Sequence, residues 1–271
     1  MIGLGMIFGI DVLRRQEIFT NEMIFDSQLI RESPRCAVAR VSRGYLWAMA
    51  NKYDSALVDL QEAVRLEPRN VSARSNLGNL MALRGHPDSA LTQYDIGLSL
   101  APGSDDLWMN RGNVLNTLGK SREALESYAR AQAAGSRSHD LHLYRGMAYT
   151  SLGLNDSAQA EFEHSLELYP TDVRVMVELA GNFTARGVID KATLWIDRAL
   201  SRDRSSQRAW YFRGLIAIQQ ERWNDALTAL DNAIKFSTNF RDAYVQRSKV
   251  LQKLGRIDEA QRDMEKSKDA R

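Results

Sequence analysis

The chain has 271 residues, of which 44% are hydrophobic and 26% are charged, a composition that suits one long soluble domain or a repeat array and excludes a disordered chain. Lysine and arginine total 36 against 34 acidic residues, which argues against a nucleic-acid partner because such proteins usually carry a strongly basic face. Cys36 is the single cysteine, so an intrachain disulfide and a cysteine-based zinc cluster are excluded.

The first 36 residues form a segment of their own. They open with MIGLGMIFGI, ten residues without a charge. A helix needs about twenty residues to cross a bilayer, and no basic residue precedes the run as in a secretory signal. Two interpretations stay open: the run is a hydrophobic cap, or it is the end of a membrane helix whose upstream part is missing. In the second, residues 1–15 would tether the protein to a membrane; otherwise the compartment is open.

From Ala37 onward the sequence has a period of 34 residues. Seven rows follow without insertion: 37–70, 71–104, 105–138, 139–172, 173–206, 207–240 and 241–271. Position 20 is always alanine: Ala56, Ala90, Ala124, Ala158, Ala192, Ala226 and Ala260. Position 8 is always small: Gly44, Gly78, Gly112, Gly146, Ala180, Gly214 and Ser248. Position 24 is always bulky and apolar: Leu60, Tyr94, Tyr128, Phe162, Ile196, Leu230 and Met264.

Each row predicts two antiparallel helices joined by a turn, which gives an all-α fold. Small residues at positions 8 and 20 let the two backbones approach closely, and the bulky residue at position 24 fills the space beside them. Five rows carry glycine at position 15, where a positive φ ends the first helix. These glycines are Gly85, Gly119, Gly153, Gly187 and Gly255.

This pattern resembles the tetratricopeptide repeats, whose 34-residue signature has small residues at positions 8, 20 and 27 and proline at 32. The resemblance covers residues 37–271 and implies a right-handed superhelical solenoid whose first helices line a concave groove. Pro34 falls in the same phase as Pro68 and Pro102. We therefore expect residues 17–33 to replace a second helix, with the apolar run in the place of its partner first helix.

Asparagines recur on the stripe of the first helices that such a fold turns toward the groove. They are Asn76, Asn79, Asn110, Asn113 and Asn116. An amide carries donors and an acceptor, so successive amides can hold the backbone of an extended peptide whatever its side chains. The tetratricopeptide repeats, which this pattern resembles, use ladders of asparagines in this way. The alternative is that asparagine is simply a common residue at these positions.

Further along, apolar residues take over the same stripe and predict a pocket for ligand side chains. They are Leu143, Tyr144, Met147, Tyr211, Phe212, Leu215 and Ile218. The alternative is that they pack between neighbouring first helices. Arg174 and Arg208, both at position 2, flank this stretch and either meet a ligand carboxylate or are solvated.

Position 7 holds arginine in five repeats: Arg43, Arg111, Arg145, Arg213 and Arg247. Sixteen residues after three of these stand Asp59, Glu161 and Asp263, and the repeats with Leu77 and Leu179 at position 7 have no acid there. We interpret these residues as structural ion pairs that tie the two helices of one repeat together.

No catalytic motif is present. Gly119, Lys120 and Ser121 resemble the end of a phosphate-binding loop, but the required glycine is replaced by Val114. His139 and His142 lie three residues apart, yet nothing in the sequence completes a metal site. We therefore predict no enzyme activity, no cofactor and no metal.

The predicted function is a protein-protein interaction scaffold that binds a peptide or protein segment in its groove. One alternative rests on a second resemblance. The stretch RRQEIFTNEMIFDSQLIRESP is similar to the junction between the last membrane helix and the repeats of membrane-embedded O-glycosyltransferases with tetratricopeptide tails. That resemblance implies the substrate-presenting tail of a truncated enzyme.

Overall fold

The computed structural model describes the backbone of residues 3–270 and the side chains of residues 18–270. This part of the chain contains fifteen helices and no strand, which confirms the all-α class. It divides into two compact units, Met1–Ser136 and Arg137–Arg271, and each is described by itself.

Seven helices belong to the first unit: α1 (Gly3–Glu32), α2 (Ala37–Met49), α3 (Tyr53–Leu66), α4 (Val71–Leu83), α5 (Pro87–Leu100), α6 (Asp105–Thr117) and α7 (Ser121–Ala133). Eight belong to the second: α8 (His139–Ser151), α9 (Asn155–Leu168), α10 (Val173–Ala185), α11 (Ile189–Arg202), α12 (Gln207–Gln219), α13 (Trp223–Phe236), α14 (Arg241–Lys253) and α15 (Ile257–Asp269). From α2 onward, two helices joined by a short turn make up each repeat.

The two helices of a repeat pack through the small residue at position 8 and the bulky residue at position 24. A Cβ atom added to Gly44 would lie 2.7 Å from Cγ of Leu60, and one added to Gly214 would lie 2.9 Å from Cγ of Leu230. Gly78, Gly112 and Gly146 meet Tyr94, Tyr128 and Phe162 in the same way. All seven alanines at position 20 are 0% exposed. The close approach predicted from the sequence is therefore confirmed in these five repeats, whereas in the seventh repeat Met264 is 41% exposed, so the prediction that it fills a buried space is wrong.

The turn inside each repeat uses a positive φ at position 15. The five predicted glycines adopt it, but so do Asn51 at φ 57° and Glu221 at φ 56°. A side chain in this left-handed region costs about 1–2 kcal/mol because Cβ approaches the following carbonyl oxygen, although asparagine tolerates it better than most residues. Glu221 therefore marks a strained turn in the sixth repeat.

Replacing Glu221 with glycine is expected to raise the free energy of unfolding by roughly 0.5–1 kcal/mol. Relief of the turn outweighs the flexibility that glycine adds to the unfolded chain. Urea unfolding of the full chain, followed by circular dichroism, measures the change. The reverse substitution at the equivalent turn, Gly187→Glu, should lower stability by a similar amount, and a loss of stability in Glu221→Gly would contradict this account.

The predicted ion pairs within repeats are confirmed. Arg43 Nε lies 2.7 Å from Asp59 Oδ2, and Arg247 Nη2 lies 2.7 Å from Asp263 Oδ1. Arg145 Nη2 lies 2.8 Å from Glu161 Oε1. Because Asp59 and Asp263 are buried, their partners compensate charges that water hardly reaches.

The two other arginines at position 7, which have no acid partner in their own repeat, reach back to the preceding repeat, a contact that the sequence pattern did not predict. Arg111 Nε lies 2.8 Å from Asp95 Oδ1, and Arg213 Nη1 lies 2.9 Å from Asp197 Oδ1. Both acids stand at position 25, sixteen residues before the arginine. Arg111 and Arg213, and likewise Arg247 through Asp231, thus connect the first helix of their repeat to the second helix of the repeat before it.

Position 4 makes another contact between repeats, to the backbone carbonyl at position 32 of the preceding repeat. The side chains of Arg40 and Arg74 donate to the carbonyl oxygens of Pro34 and Pro68, each at 3.0 Å. The indole nitrogens of Trp108 and Trp210 donate to the carbonyl oxygens of Pro102 and Arg204 at 2.9 and 2.8 Å. Different side chains thus fill one structural role.

The N-terminal segment forms one helix, α1, rather than the two that the repeat phase predicts. Its later part carries the buried residues Asp26 and Ile30, and α1 packs against α2. Ser27 Oγ, at position 25 of this phase, accepts a hydrogen bond of 3.4 Å from Arg43 Nη1. The end of α1 therefore contacts α2 as a second helix contacts the first helix of the next repeat.

Candidate peptide-binding surface

In the first unit, asparagine side chains of α4 and α6 meet at one shallow cavity of about 390 Å³. Asn79, Asn110 and Asn113 line it together with Tyr94. Asn76 is half-buried on α4 and is not among the lining residues. Three of the five predicted amides are thus brought to one place.

Two buried tyrosines fix the orientation of these amides. The hydroxyl of Tyr94 donates to Asn79 Oδ1 at 2.7 Å, and that of Tyr128 donates to Asn113 Oδ1 at 2.8 Å. Burial raises the pKa of Tyr94, so its hydroxyl keeps its proton at neutral pH. An amide whose oxygen already accepts a hydrogen bond offers its NH₂ group as a donor to a ligand carbonyl.

Asn116 has a different role from the other asparagines. Its Oδ1 accepts a hydrogen bond of 2.7 Å from the hydroxyl of Ser121, which is buried at the start of α7. This contact joins α6 to α7 across the turn of the third repeat. The side-chain oxygen of Asn116 therefore stabilises the turn of the third repeat, independently of any contact that its NH₂ group makes with a ligand.

In the second unit, five of the predicted residues line a cavity of about 620 Å³ beside α8, α10 and the start of α12. They are Leu143, Tyr144, Met147, Arg174 and Arg208. Val173 and Val177 add apolar surface. Glu178 adds a carboxyl group, and its burial raises its pKa against the opposing effect of Arg208. The cavity offers apolar walls with charged groups at its rim.

Some of the predicted apolar stripe is used for packing instead. Leu143 is only 2% exposed, so the expectation that it faces solvent is wrong. Phe212 lies against Gly181 of α10, where an added Cβ would be 2.6 Å from Phe212 Cζ. The ring of Tyr211 lies 5.0 Å from that of Phe240. Leu215 is half-buried and Ile218 packs on the core. Packing between helices thus explains Phe212 directly.

Arg174 and Arg208 both form ion pairs with acidic residues of the chain, so neither is free in solvent. Arg174 Nη2 lies 2.6 Å from Asp140 Oδ1 and 2.7 Å from Asp172 Oδ2. Arg208 Nη2 lies 2.7 Å from Glu178 Oε1. Burial opposes the ionised form of Asp172, but the side-chain hydrogen bond and charge of Arg174, together with backbone hydrogen bonds from Arg174 and Val175, outweigh it and lower the pKa of Asp172. A ligand carboxylate would have to compete with these acids.

His139 and His142, which the sequence places three residues apart, have different partners in the structure. His142 Nδ1 lies 2.8 Å from Glu161 Oε2, and His139 Nε2 lies 3.3 Å from Asp172 Oδ2. Ligand atoms of His139, Asp140 and Asp172 lie within 4.8 Å of one another, but Arg174 contacts the same two carboxylates. Its guanidinium group already supplies the positive charge there.

The repeat sequence itself decides the family. The sequence pattern of the tetratricopeptide repeat matches residues 50–105, 83–139, 109–173 and 192–241, and a second pattern of the same description matches residues 242–271. The chain belongs to the tetratricopeptide-repeat family. A comparison with curated proteins gives no match.

Several solved tetratricopeptide structures are similar to this chain. A repeat protein from Parabacteroides merdae has a TM-score of 0.73 at 21% identity, over 86% of this chain and 92% of that one. A chain of the APC/C hetero-tetramer Cut9–Hcn1 has a TM-score of 0.77 at 17% identity over 86% of this chain, which spans only 46% of that longer chain. YrrB, described as a TPR protein with an unusual peptide-binding site, has a TM-score of 0.51 at 22% identity, over 68% of this chain and 95% of YrrB. At these identities the likeness establishes the fold.

The interpretation as the tail of a membrane glycosyltransferase gains no support from the matched tetratricopeptide family or from these structures. Within the described part of the chain, no helix combines the length and the apolar character that a membrane crossing requires. The side chains of residues 1–15, to which the membrane hypothesis was assigned, lie outside the described residues.

Proposed function

We propose that this protein binds an extended peptide segment of a protein partner through the first helices of its repeats, without chemistry of its own. The observation that carries the proposal is the pair of tyrosine-held amides, Asn79 and Asn113, at one cavity on α4 and α6. Fixed amides lower the ordering cost of binding because their orientation is set before the ligand arrives. The peptide-binding site described for YrrB, a similar repeat protein, is consistent with this role.

The second unit supplies the side-chain selectivity in this proposal. Met147 and Tyr144 line the larger cavity, which is bounded by the Arg174 and Arg208 ion pairs. Methionine adapts its shape to different apolar groups. An apolar ligand side chain in this cavity would gain burial, whereas amides in the first unit contact backbone that every peptide shares.

Replacing Asn79 or Asn113 with aspartate tests the amides without removing their structural contact. Aspartate keeps an oxygen for the tyrosine hydroxyl but has no NH₂ group to donate. We expect stability to change little and every bound peptide to lose about 0.5–1.5 kcal/mol for each hydrogen bond removed. Peptides selected from a displayed random library on the full chain, and then measured by calorimetry, provide the readout.

Two variants serve as controls for that experiment. Met147→Gln should weaken peptides with a large apolar side chain and leave the others unchanged, while Glu126→Ala on the surface of α7 should change neither binding nor stability. If the selected peptides bind both aspartate variants as tightly as they bind the natural protein, the amides do not contact the ligand.

A further inference from the structure

We propose that an open cavity lined by α11, α12 and α13 receives a carboxylate group from an aspartate or glutamate side chain of a protein partner. This cavity, here called the Arg213 cavity, has a volume of about 280 Å³. Ile196, Asp197, Trp210, Arg213, Arg222 and Ala229 are among its lining residues. None of them belongs to the candidate peptide-binding surface, so this is a separate site.

The next repeat shows what an arginine in this place can hold. Arg247 Nη1 donates to Asp231 Oδ1 at 2.6 Å. Its Nε and Nη2 both donate to Asp263, each at 2.7 Å. One guanidinium group therefore binds two carboxylates, one from the preceding repeat and one, in the bidentate arrangement, from its own repeat.

Arg213 stands 34 residues before Arg247 and repeats only half of this arrangement. Its Nη1 donates to Asp197 Oδ1 at 2.9 Å, the equivalent of the contact with Asp231. The equivalent of Asp263 is Ala229, which has no acceptor. Among the described side chains, no hydrogen-bond acceptor contacts Nε or Nη2 of Arg213, and the Arg213 cavity lies where the second carboxylate would be.

The other repeats make this arrangement unusual within the chain. Asp59, Glu161 and Asp263 supply a carboxylate at position 23. In the third repeat the hydroxyl of Ser127 takes that place, 2.8 Å from Arg111 Nη1. The second and fifth repeats have leucine instead of arginine at position 7. Only the sixth repeat keeps the arginine and replaces its acceptor with a methyl group.

The charges around the Arg213 cavity favour a single carboxylate over a more highly charged anion. Arg213 and Arg222 are balanced by Asp197 and Asp225, which also line it. A doubly charged phosphate would meet two nearby carboxylates, whereas one planar carboxylate matches the bidentate edge of a guanidinium group. The ring centroid of Trp210, which lines the cavity, lies 5.8 Å from the guanidinium carbon of Arg213, so we expect the Trp210 signals to change when the cavity is occupied.

An NMR titration of the full chain tests this proposal. The probe is the glutamate derivative with acetylated amino and amidated carboxyl groups, and the corresponding glutamine derivative is the neutral control. A lone, partly exposed ion pair contributes little affinity, so we expect weak but saturable binding. The chemical shifts of the Arg213 Nε–H and of the Trp210 indole should change when the glutamate derivative is added and should remain unchanged when the glutamine derivative is added. Arg247 Nε–H, whose acceptors are already present, should not move.

Two variants with equal added charge on α13 complete the test. Ala229→Asp supplies the missing carboxylate from the chain itself and should abolish the response, whereas Asn224→Asp, outside the cavity lining, should preserve it. Arg213→Gln should also abolish the Trp210 response, which decides the matter if Ala229→Asp does not fold. Asn79→Asp should respond to the glutamate derivative like the natural protein. A failure of the Arg213 cavity proposal can therefore be distinguished from a failure of the proposed peptide binding through Asn79 and Asn113.

Three results would overturn the proposal. One is an equal response to the glutamine derivative, and another is an unchanged response in Ala229→Asp. The third is a stronger response to inorganic phosphate than to the glutamate derivative at equal ionic strength, since that would make the Arg213 cavity a general anion site.

Discussion

Replacing Phe162 with alanine is expected to lower the free energy of unfolding by about 3–5 kcal/mol, the largest loss predicted for a single side chain here. Phe162 is 0% exposed and fills the crossing of α8 and α9 against Gly146. Alanine would leave a cavity that the surrounding helices cannot close without moving. Urea unfolding followed by circular dichroism measures the loss in the full chain.

A double-mutant cycle at the same crossing separates lost contact from steric fit. The fifth repeat pairs Ala180 with Ile196, where the fourth pairs Gly146 with Phe162. Gly146→Ala alone should destabilise the protein because its methyl group meets the aromatic ring. Gly146→Ala together with Phe162→Ile should be more stable than the sum of the two single changes predicts. Strict additivity would mean that the two positions do not share one space.

Replacing Arg247 with leucine is expected to cost about 3 kcal/mol, because the buried Asp263 loses its ion-pair partner. Burial opposes the charged form of Arg247, but the hydrogen bonds to Asp263 and Asp231 and their negative charges together outweigh it and raise the pKa of Arg247. Arg247→Leu combined with Asp263→Gln should recover much of the loss, since it reproduces Leu77 and Gln93 of the second repeat. Thermal unfolding of both variants provides the comparison.

The equivalent change in the fourth repeat is expected to have a smaller effect. Glu161 contacts His142 Nδ1 at 2.8 Å in addition to Arg145, so Arg145→Leu leaves it one partner. Arg145→Leu with Glu161→Gln should again be more stable than Arg145→Leu alone. An absence of recovery in both repeats would show that the pairs add nothing to the fold.

The helix pairs could be predicted from the sequence because their packing lies inside one repeat. A small residue at position 8 and a bulky one at position 24 recur in all seven repeats. The pairing of a small with a large residue, such as Gly44 with Leu60, can therefore be recognised from the sequence alone. The ion pairs within repeats were predictable for the same reason, because Leu77 and Leu179 occur where the acid is also absent.

Contacts between repeats were harder to predict because they depend on how consecutive repeats stack. The acids at position 25 could have been found by looking sixteen residues back from Arg111 and Arg213 as well as forward. The ion pair of Arg174 with Asp140 joins residues at the same helical level of adjacent repeats, a relation that no single repeat contains. The packing of Phe212 could not be predicted from its own repeat, because its ring occupies the space that Gly181 leaves on the first helix of the neighbouring repeat.

The tyrosines that hold the amides leave a signal in the sequence. Tyrosine occurs at position 24 only in the second and third repeats, which are also the only repeats with asparagine at position 9. The joint appearance of Tyr94 with Asn79 and of Tyr128 with Asn113 indicates a hydrogen bond between the two positions. Treating position 24 only as bulky and apolar concealed it.

The backward contacts of positions 4 and 7 determine how repeats of this protein can be exchanged in a chimera. A graft that begins at residue 241 brings Arg247 but leaves Asp231 behind, and one that begins at residue 207 separates Trp210 from the carbonyl of Arg204. Swapping whole 34-residue blocks preserves the contact of position 4, because any backbone supplies the carbonyl at position 32. It preserves the contact of position 7 only if the preceding repeat of the recipient has an acid at position 25. The exchangeable cassette is therefore a repeat together with the second helix that precedes it.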